Sequence, residues 1–473
     1  MKERATLPVR HERPGLDDGV WHDLVEGHQF GVAVHERHPH RGQQQRRSIH
    51  PQVQPRKRLA NLLPLGHHRH VVGSLPIGRL VILNLELAPQ ISGGAVDEVL
   101  LHAPPRGPDV GDLPAEIADF EPLAWVPPMK ARRMDRTGLY AVAASRLTLD
   151  DAGRSIPEEG DDRMGVVLGT WTAGGGSTQQ FLDALFRSGP TGAPALLFDS
   201  TVANAAASVA GLAHRFRGPN VTVSHKEASG LAAIVSGVDL LREDRASALI
   251  AGGVDAIYES FYKPHDRFEV MSPDTAFSSR LAPFDAARDG FVLGEGAFGF
   301  WIEPGDDHRR GHGEILGVAA SSVAGPINAW PSRSEPLVRT MQLALADAGL
   351  EPDDVDVVYA SANATRGLDA IEAQALTGLF GDGRAVVTSV KGALGEFGAS
   401  GSAACAAAFL CGRAGRVPPI AGLDAPDSTA SSLRLARTAV DAPGPIVLVN
   451  SFASGGALFS VVLRVLSLGP VKE

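Results

Sequence analysis

The stretch VTVSHKEASGLAAI, residues 221–234, joins a short β-strand directly to an α-helix. The β-branched residues at 221–223 favour a strand, and the residues from 229 onward favour a helix whose apolar side chains recur on one face. Those side chains are Leu231, Ile234, Val238 and Leu241. Between the two elements lie three polar residues, His225, Lys226 and Glu227, which we call the elbow. A strand that passes through such an elbow into a helix predicts an α/β fold.

The elbow is a position at which many enzymes carry a nucleophile. The N-terminus of a helix has unpaired N–H groups and a partial positive charge, and both favour a thiolate or an oxyanion. The residue in that position here is Glu227. The sequence therefore raises the question of what a carboxylate does where a nucleophile is expected.

Strands and helices also alternate through most of the chain outside the elbow. Ser177 is the predicted N-cap of one crossover helix, and Ser334 and Gly349 are the predicted ends of another. Two successive blocks of this kind, separated by a hinge near 304–313, predict parallel-type sheets covered by helices on both faces. The predicted buried strands lie at 163–171, 220–224, 247–255, 355–362 and 385–390.

The first 112 residues differ in composition from the rest of the chain. Eleven of the 16 histidines lie there, in runs such as HERHPHRGQQQRRS at 35–48. Sequence rich in His, Arg, Gln and Pro without periodicity predicts an unfolded segment and not a metal site. Translation from an incorrectly assigned start is the other interpretation. We therefore divide the chain into a 1–112 extension, an N-terminal half at 113–306 and a C-terminal half at 313–473.

Composition and charge exclude several classes of function. A chain of 473 residues with 44% hydrophobic and 21% charged residues is a globular protein of two or three domains. Its formal charge of −10 argues against nucleic acid as a partner. The apolar run at 80–87 is too short to span a bilayer, and residues 1–20 contain no signal-peptide core. We expect a cytoplasmic protein without membrane contact.

No pattern in the chain predicts a cofactor or a metal ion. The Gly-rich stretch GTWTAGGGS at 169–177 follows a strand, but a Walker loop needs Lys where Gly175 stands, and no dinucleotide fingerprint opens the helix. We expect its glycines to serve close backbone packing. Cys405 and Cys411 fit neither a disulfide framework nor a metal site, and we expect them to be core residues.

The most distinctive run of the chain is RLAPFDAARDGFVLGEGAFGF, residues 280–300. Its charged residues are embedded in apolar and Gly-rich sequence, so we expect them to pair with one another in a buried, fixed loop beneath the active site. They are Arg280, Asp285, Arg288, Asp289 and Glu295. This run resembles the corresponding segment of the β-ketoacyl synthases, the condensing enzymes of fatty-acid and polyketide synthesis.

Further segments extend the resemblance from about residue 115 to about residue 466. They keep the order of the family and include VTSVKGALGEFGASG at 387–401 and VLVNSFASGG at 447–456. The first strand of the family is not recognisable before residue 110. The resemblance implies a thiolase-like α/β fold, in which two similar α/β halves form a five-layer αβαβα core.

The resemblance also locates the catalytic positions of the family. The acyl-carrying Cys of the family falls on Glu227, and its two His fall on Ser361 and Glu396. A carboxylate is a poor nucleophile, and a Ser hydroxyl is not a base near neutral pH. No member of the Cys-His-His set is intact, so the condensation reaction of the family is not expected. The retained site or structural residues are Lys391, Asp369 and Glu372.

The surroundings of the elbow are also altered relative to the family. Its gating loop corresponds to residues 452–456, where Ser454 replaces the second aromatic residue. We expect a reshaped acyl channel lined by Phe452, Ser454, Gly455 and Gly456. Burying the carboxylates of Glu227 and Glu396 requires a partner charge. We expect Lys391, with Lys226 or His225, to supply it.

A chain without the Cys-His-His set resembles the chain-length-factor branch, the ketosynthase beta subunit of type II polyketide and related polyene systems. The resemblance implies a heterodimer with an active ketosynthase, formed edge to edge through strands near the elbow. It also implies that acyl carrier protein docks on the active partner. This chain would then complete the interface and shape the tunnel that sets product length.

Two alternatives remain open at the level of sequence, and so does the question whether the chain is itself an enzyme. One is an active acyltransferase or 3-oxoacyl-ACP synthase that uses another group, which a covalent acyl adduct or turnover without a partner would reveal. The other is a non-catalytic homodimer that binds acyl chains or acyl carrier protein. A stable self-dimer without affinity for a ketosynthase would indicate the latter.

Overall fold

The protein was analysed as a computed structural model that describes residues 117, 120–273, 281–305, 311–381 and 383–466, and the backbone of 81–84. The helices are α1 Pro128–Ala131, α2 Arg136–Asp151, α3 Gly175–Ser188, α4 Ala205–His214, α5 Ser229–Arg242, α6 Glu259–Arg267, α7 Glu335–Ala348, α8 Arg366–Phe380, α9 Lys391–Leu394 and α10 Ser400–Arg413. The strands are β1 Val81–Asn84, β2 Met164–Gly169, β3 Asn220–Val223, β4 Ala248–Asp255, β5 Gly296–Ile302, β6 Gly313–Ser322, β7 Val357–Tyr359, β8 Val386–Thr388, β9 Arg416–Val417, β10 Arg434–Leu435, β11 Val440–Asp441, β12 Ile446–Phe452 and β13 Ala457–Val465.

Two mixed sheets repeat one arrangement. The first has the order β1-β5-β4-β2-β3, in which β4, β2 and β3 are parallel and β5 is antiparallel to both of its neighbours. The second has the order β10-β8-β7-β12-β13-β6, with β8, β7 and β12 parallel and β13 antiparallel to both neighbours. Strands β3, β2, β4, β5 and β1 thus correspond to β8, β7, β12, β13 and β6. The prediction of two similar α/β halves is confirmed.

The two sheets lie in a five-layer sandwich. Helices α5 and α10 pack against each other and against strands of both sheets, so they form the central layer. Helices α2 and α4 cover the outer face of the first sheet, and α7 and α8 cover that of the second. The central core includes Leu231 of α5, Phe409 of α10, Phe300 of the first sheet and Val449 of the second, all buried. The apolar face predicted for α5 therefore points into this core.

The 1–112 extension is described only at β1, whose backbone pairs antiparallel to β5 with Val81 opposite Trp301. The rest of that extension lies outside the described residues. The interpretation of the extension, and the division of the chain at 113–306 and 313–473, therefore remain predictions.

The described residues contain no helix long and apolar enough to cross a membrane. They also contain no group of three or more His, Cys, Asp or Glu side chains that could hold a metal ion. Both cysteines are buried in α10, as expected of core residues.

The glycines of 169–177 serve close packing, as predicted. A Cβ atom on Gly176 would lie 2.5 Å from the Tyr258 ring, and one on Gly169 would lie 1.9 Å from the carbonyl oxygen of Ser229. The predicted N-cap of this helix was wrong. Helix α3 begins at Gly175, after Gly174 with a φ of 77°, because glycine adopts the left-handed conformation that starts the helix here.

The prediction that the charges of 280–300 pair with one another was wrong for Glu295 and Arg288, whose ionic partners lie outside the run. The Glu295 carboxylate accepts hydrogen bonds from Arg136 and Tyr140, at 2.7 and 2.8 Å. The Arg288 guanidinium lies 2.9 Å from the Asp427 carboxylate. Because the loop crosses between the two halves, its charges meet partners on both halves. Arg280 lies outside the described residues.

Candidate functional site

The elbow is a single 3₁₀ turn, Lys226–Ala228, that leads directly into α5. The φ of Lys226 is 51°, a left-handed conformation that is uncommon for a residue with a side chain. The Ser229 hydroxyl stabilises the turn, because it accepts from the His225 N–H at 2.9 Å and donates to the Lys226 carbonyl at 2.7 Å. In this elbow the His225 side chain is exposed, whereas the Glu227 side chain, two residues later, points into the protein.

The Glu227 side chain is 3% exposed and is held by one residue of the β12–β13 turn. The Ser454 N–H donates to Glu227 Oε2 at 3.1 Å, and the Ser454 hydroxyl donates to Oε1 at 2.7 Å. Burial, together with the nearby charge of Glu396, raises the pKa of Glu227 to about 7. The carboxyl group is therefore close to half protonated at neutral pH.

Glu396 is fully buried and has a cation as its partner. Lys391 Nζ lies 2.8 Å from Glu396 Oε2, which also accepts from Asn363 Nδ2 at 2.8 Å. The Ser400 hydroxyl donates to Oε1 at 2.8 Å. Both oxygens of this carboxylate are thus satisfied, as a buried charge requires. The expected pairing of Lys391 with Glu396 is confirmed.

Ser361 lies beside this ion pair at the end of β7. Its hydroxyl is 3.5 Å from Lys391 Nζ and accepts from the Phe452 N–H at 2.9 Å. Its own N–H donates to Glu372 Oε1 at 2.9 Å. Since Lys391 is an ammonium donor to Glu396, it is not available as a base toward the Ser361 hydroxyl.

The three positions taken from the family resemblance therefore lie in one neighbourhood. The Ser400 hydroxyl connects Glu227 with Glu396, because it lies 3.4 Å from the Glu227 carbonyl oxygen and 2.8 Å from Glu396 Oε1, and Lys391 connects Glu396 with Ser361. This is possible because the N-terminal ends of α5 and α10 touch: the Gly230 N–H donates to the Gly398 carbonyl at 2.7 Å. A Cβ atom on Gly230 would lie 2.5 Å from the Ser402 hydroxyl oxygen.

The retained acids Asp369 and Glu372 lie on α8 and hold the loops behind the site. Asp369 accepts from the N–H groups of Phe284 and Asn363, at 2.7 and 3.0 Å. Burial raises the pKa of Asp369 to about 6 and that of Glu372 to about 7. Glu372 also accepts from Asn450 Nδ2 at 3.1 Å. These contacts fix the backbone from which Ser361 and Phe452 project.

The segment that corresponds to the gating loop is a tight turn between β12 and β13. Phe452 is fully buried, whereas Gly455 is exposed at the tip of the turn. Gly455 and Gly456 have φ values of 111° and 95°, which allow the chain to reverse there. The Gly455 N–H donates to the Ala329 carbonyl at 3.0 Å. The turn thus lies between the elbow and the 323–330 loop.

The elbow lysine lies at the surface side of this arrangement. Lys226 Nζ donates to the Ser454 hydroxyl oxygen at 3.1 Å and to Asn328 Oδ1. Of the cations expected to supply a partner charge, Lys226 lowers the pKa of Glu227 only as a nearby charge, and no lysine or histidine donates to the carboxylate in the hydrogen bonds that the structure describes. Ser454 supplies both hydrogen bonds instead, because its N–H and hydroxyl reach the carboxylate from the facing turn.

Sequence reasoning missed Asn363, Ser400 and the donor role of Ser454. Ser400 stands four residues after Glu396, near the start of a helix, which is a spacing at which side chains can meet. Asn363 lies two residues after Ser361, and no local signal connects it to Glu396. Ser454 is 227 residues from Glu227 in sequence. Asn363 and Glu396 meet through the folding of the C-terminal half, whereas only the packing of the two halves brings Ser454 to Glu227.

Comparison with known proteins agrees with this geometry. The profile of the β-ketoacyl synthase N-terminal domain matches residues 102–308, and that of the C-terminal domain matches residues 312–424. The chain belongs to the β-ketoacyl synthase family. The match covers both halves of the fold and includes the elbow, Ser361 and Glu396.

Individual members of the family are similar along most of their length. The 3-oxoacyl-[acyl-carrier-protein] synthase 2 of Rhizobium meliloti (strain 1021) is 31% identical over 383 residues, which are 75% of this chain and 90% of the relative. Nodulation protein E of Rhizobium sp. (strain N33) is 31% identical over 360 residues, 74% of this chain and 85% of the relative.

The solved structure of the ishigamide ketosynthase/chain length factor is similar with a TM-score of 0.68 and 29% identity. The similarity covers 74% of this chain and 87% of that chain. The fold predicted from the resemblance, the thiolase-like fold of the ketosynthases, is confirmed by this likeness and by the two repeated sheets.

Proposed function

We propose that this chain is a non-condensing ketosynthase-like subunit, similar to a chain length factor, that pairs with an active β-ketoacyl-ACP synthase. The pathway class is fatty-acid or type II polyketide/polyene biosynthesis. The observation that carries the proposal is the state of Glu227. The residue in the nucleophile position has both carboxyl oxygens hydrogen-bonded to Ser454 and is 3% exposed.

The chemistry of the site supports a non-condensing role. An acyl group on a carboxylate would form an anhydride, which is labile and a poor intermediate for carbon–carbon bond formation. The other two family positions supply no base, since Ser361 is a hydroxyl and Glu396 is paired with Lys391 at 2.8 Å. The residues that would hold and decarboxylate an extender unit are replaced by a self-satisfied polar cluster.

A partner subunit is supported by the edge of the first sheet. Strand β3 is an edge strand, and in the described part of the chain it pairs only with β2. Its residues are exposed or half-buried, and it leads directly into the elbow. An unpaired edge offers N–H and C=O groups to another strand. In our proposal this edge pairs with the ketosynthase, and acyl carrier protein docks on that active partner.

The likeness to the ishigamide ketosynthase/chain length factor supports the pairing of two ketosynthase-like subunits. By analogy with that protein, this chain would contribute to the acyl tunnel without carrying the acyl group. Phe452, Ser454, Gly455 and Gly456 are the residues that we assign to the tunnel wall near the elbow.

The deciding experiment is intact-mass analysis of the purified chain after incubation with acyl-loaded carrier protein, with an active 3-oxoacyl-ACP synthase as the positive control. We expect no added mass on this chain under conditions that label the control. An acyl adduct that survives denaturation would reject the proposal, and peptide mapping would then identify the group that carries it.

A second measurement separates the partner subunit from a self-sufficient dimer. The chain would be co-expressed with a candidate ketosynthase of the same organism and purified through a tag on one subunit only. We expect a one-to-one complex. A stable self-dimer that does not exchange with the ketosynthase would reject the pairing and favour a non-catalytic homodimer.

A further inference from the structure

The elbow and the β12–β13 turn are joined by three hydrogen bonds with matched polarity. Lys226 Nζ, which can only donate, donates to the Ser454 hydroxyl oxygen at 3.1 Å. The same hydroxyl donates its own proton to Glu227 Oε1 at 2.7 Å, while the Ser454 N–H donates to Oε2 at 3.1 Å. The chain of donors runs in one direction from the surface to the buried carboxyl group, an arrangement in which each bond strengthens the next.

We infer that Lys226, Glu227 and Ser454 form a latch that holds the β12–β13 turn closed over the elbow, with Ser454 as the positioning residue. The inference rests on the proposed non-condensing role and adds a means of closing access to the same site. We call these three hydrogen bonds the elbow–turn latch.

The presence of Glu at position 227 accounts for the presence of Ser at position 454, because the two side chains form complementary hydrogen bonds. A carboxyl group at 227 has two acceptor oxygens, and Ser454 offers two donors, a main-chain N–H and a hydroxyl, at the right separation to reach both. Neither an alanine nor an aromatic hydrocarbon at 454 supplies the second donor. Glu227 therefore requires a small hydroxyl residue on the facing turn, and Ser454 meets that requirement.

A second anchor keeps the turn in place on its other side. The Val323 N–H donates to the Gly456 carbonyl at 2.8 Å, and the Gly455 N–H donates to the Ala329 carbonyl at 3.0 Å. Lys226 also reaches Asn328 in that loop. The lysine thus ties together the elbow, the turn and the 323–330 loop.

The closed turn leaves little of the site accessible to solvent. Ser454 is 8% exposed and Glu227 is 3% exposed, although Gly455 at the tip is exposed. An acyl thioester could approach Glu227 along this route only after the turn had moved. The closed latch therefore blocks the access of acyl thioesters to the elbow of this chain.

Amide hydrogen exchange by mass spectrometry on the full chain tests the latch, because the turn amides exchange when the turn opens. We expect Ser454→Ala to speed exchange in the peptide that covers 453–457 by roughly tenfold, the effect of losing hydrogen bonds to a charged or polar partner. Lys226→Met should speed it by roughly threefold. Glu227→Ala should resemble Ser454→Ala.

Two variants control for a general loss of structure. Glu227→Gln keeps an acceptor toward Ser454 and should leave exchange within about twofold of the original chain. Ser460→Ala removes a fully buried hydroxyl from the same hairpin, where it donates to Asn450 at 2.7 Å, and should leave the turn peptide unchanged. If Ser454→Ala does not fold, the exchange rates of Glu227→Ala and Glu227→Gln in the turn peptide can still be compared to test the latch.

Two outcomes would overturn the inference: exchange in Ser454→Ala equal to that of the original chain, or an equal acceleration in Ser460→Ala. These outcomes are separable from failure of the proposed function. An acyl adduct in the mass experiment rejects the non-condensing role whatever the exchange data show. Unchanged exchange without an adduct rejects only the latch.

Discussion

Glu227 and Glu396 are two buried glutamates in one neighbourhood, and they are stabilised in different ways. Glu396 is held by a lysine, an amide and a hydroxyl, with Lys391 Nζ at 2.8 Å. Glu227 is held by the N–H and hydroxyl of Ser454, and its pKa is raised to about 7 by burial and by Glu396. One site holds a charge with a counter-charge, while the other holds a carboxyl group that can be neutral.

The difference shows how this fold tolerates acids at positions that the family resemblance assigns to a nucleophile and a base. A helix N-terminus stabilises an anion by only about 0.3 to 2 kcal/mol, which is less than the cost of burying an unpaired charge. Glu396 offsets the cost of burial by pairing with Lys391. Glu227 reduces this cost by binding a proton, which makes its carboxyl group neutral. Four expected outcomes test this comparison.

Removal of the counter-charge should have the largest effect. Lys391→Met leaves the Glu396 carboxylate buried without its cation, so we expect a loss of about 3 to 5 kcal/mol in unfolding free energy. The double variant Lys391→Met/Glu396→Gln should recover much of that loss, because no charge remains buried. Thermal and denaturant unfolding at pH 8 would measure both.

The control for this prediction is Lys263→Met, which breaks an exposed pair with Glu259 on α6. We expect no measurable change in stability, since exposed pairs contribute little. If Lys391→Met lowers the unfolding free energy no more than Lys263→Met does, the assignment of Glu396 as a charge held by Lys391 is wrong.

The raised pKa of Glu227 should appear as a pH-dependent effect of Glu227→Gln. Relative to an ordinary value of 4.5, a folded-state pKa of about 7 means that the folded protein binds the proton more tightly than the unfolded chain. This tighter proton binding stabilises the folded protein by a total of about 3 kcal/mol. The stabilisation is fully present below pH 4.5 and is lost as the pH rises through about 7.

The Gln side chain of Glu227→Gln cannot ionise. The stability of this variant relative to the original chain should therefore increase as the pH rises. Melting temperatures of both proteins between pH 4.5 and 8.5 would show the gap widen toward high pH. Glu335→Gln, at an exposed position of α7, should show no such trend in this range. A constant gap for Glu227→Gln would mean that Glu227 is charged throughout this pH range.

The contact that brings the two glutamates together should have a moderate effect. Gly230→Ala places a methyl group about 2.5 Å from the Ser402 hydroxyl oxygen and 3.2 Å from the Gly398 carbonyl oxygen. We expect α5 and α10 to separate slightly, with a loss of about 1 to 3 kcal/mol.

The matched control is Gly378→Ala in α8, where the added methyl group meets open space. There we expect a gain of about 0.5 to 1 kcal/mol, because alanine has the higher helix propensity. Denaturant unfolding of the two variants would compare them, and equal effects would contradict the close approach of the two helices.

The smallest effect concerns a third acid, Asp427, which shares the cation of Arg288 with Asp369. Hydrogen bonds from Thr429 and the nearby Arg288 lower the pKa of Asp427 to about 2. The stability that it contributes is present above its ordinary pKa of 3.8 and is lost as the pH falls through about 2. Asp427→Asn should cost less than about 1 kcal/mol at pH 7, because solvent screens this site.

Acid unfolding between pH 5 and 2 would test the expectation for Asp427→Asn, whose side chain can still cap the following turn. The difference from the original chain should shrink toward pH 2. A difference that grows instead would indicate a role for Asp427 other than that of a paired charge.

Much of the fold could be predicted from local sequence. The β-branched residues before the elbow and the helical spacing of Leu231, Ile234 and Val238 are local signals, and the structure places β3 and α5 there. The alternation of strands and helices predicted two α/β blocks. The N-cap at Ser177 was wrong because glycine conformation, not side-chain capping, starts α3.

The site was predictable only in part. The pairing of Lys391 with Glu396 joins residues five apart on either side of Gly395, so the sequence already places them close together. The partners of Arg288 and Glu295 were not predictable, because they come from segments on both halves of the fold. Local patterning indicates that a charge is buried, but it does not indicate which distant segment lies opposite.

The sequence by itself determined the order of strands and helices and the position of the elbow. It did so because spacing and residue type act over a few residues. The tertiary structure alone decided that Ser454, 227 residues away, is the partner of Glu227. That contact depends on α5 and α10 packing between two sheets, which sets the β12–β13 turn of one half against the elbow of the other.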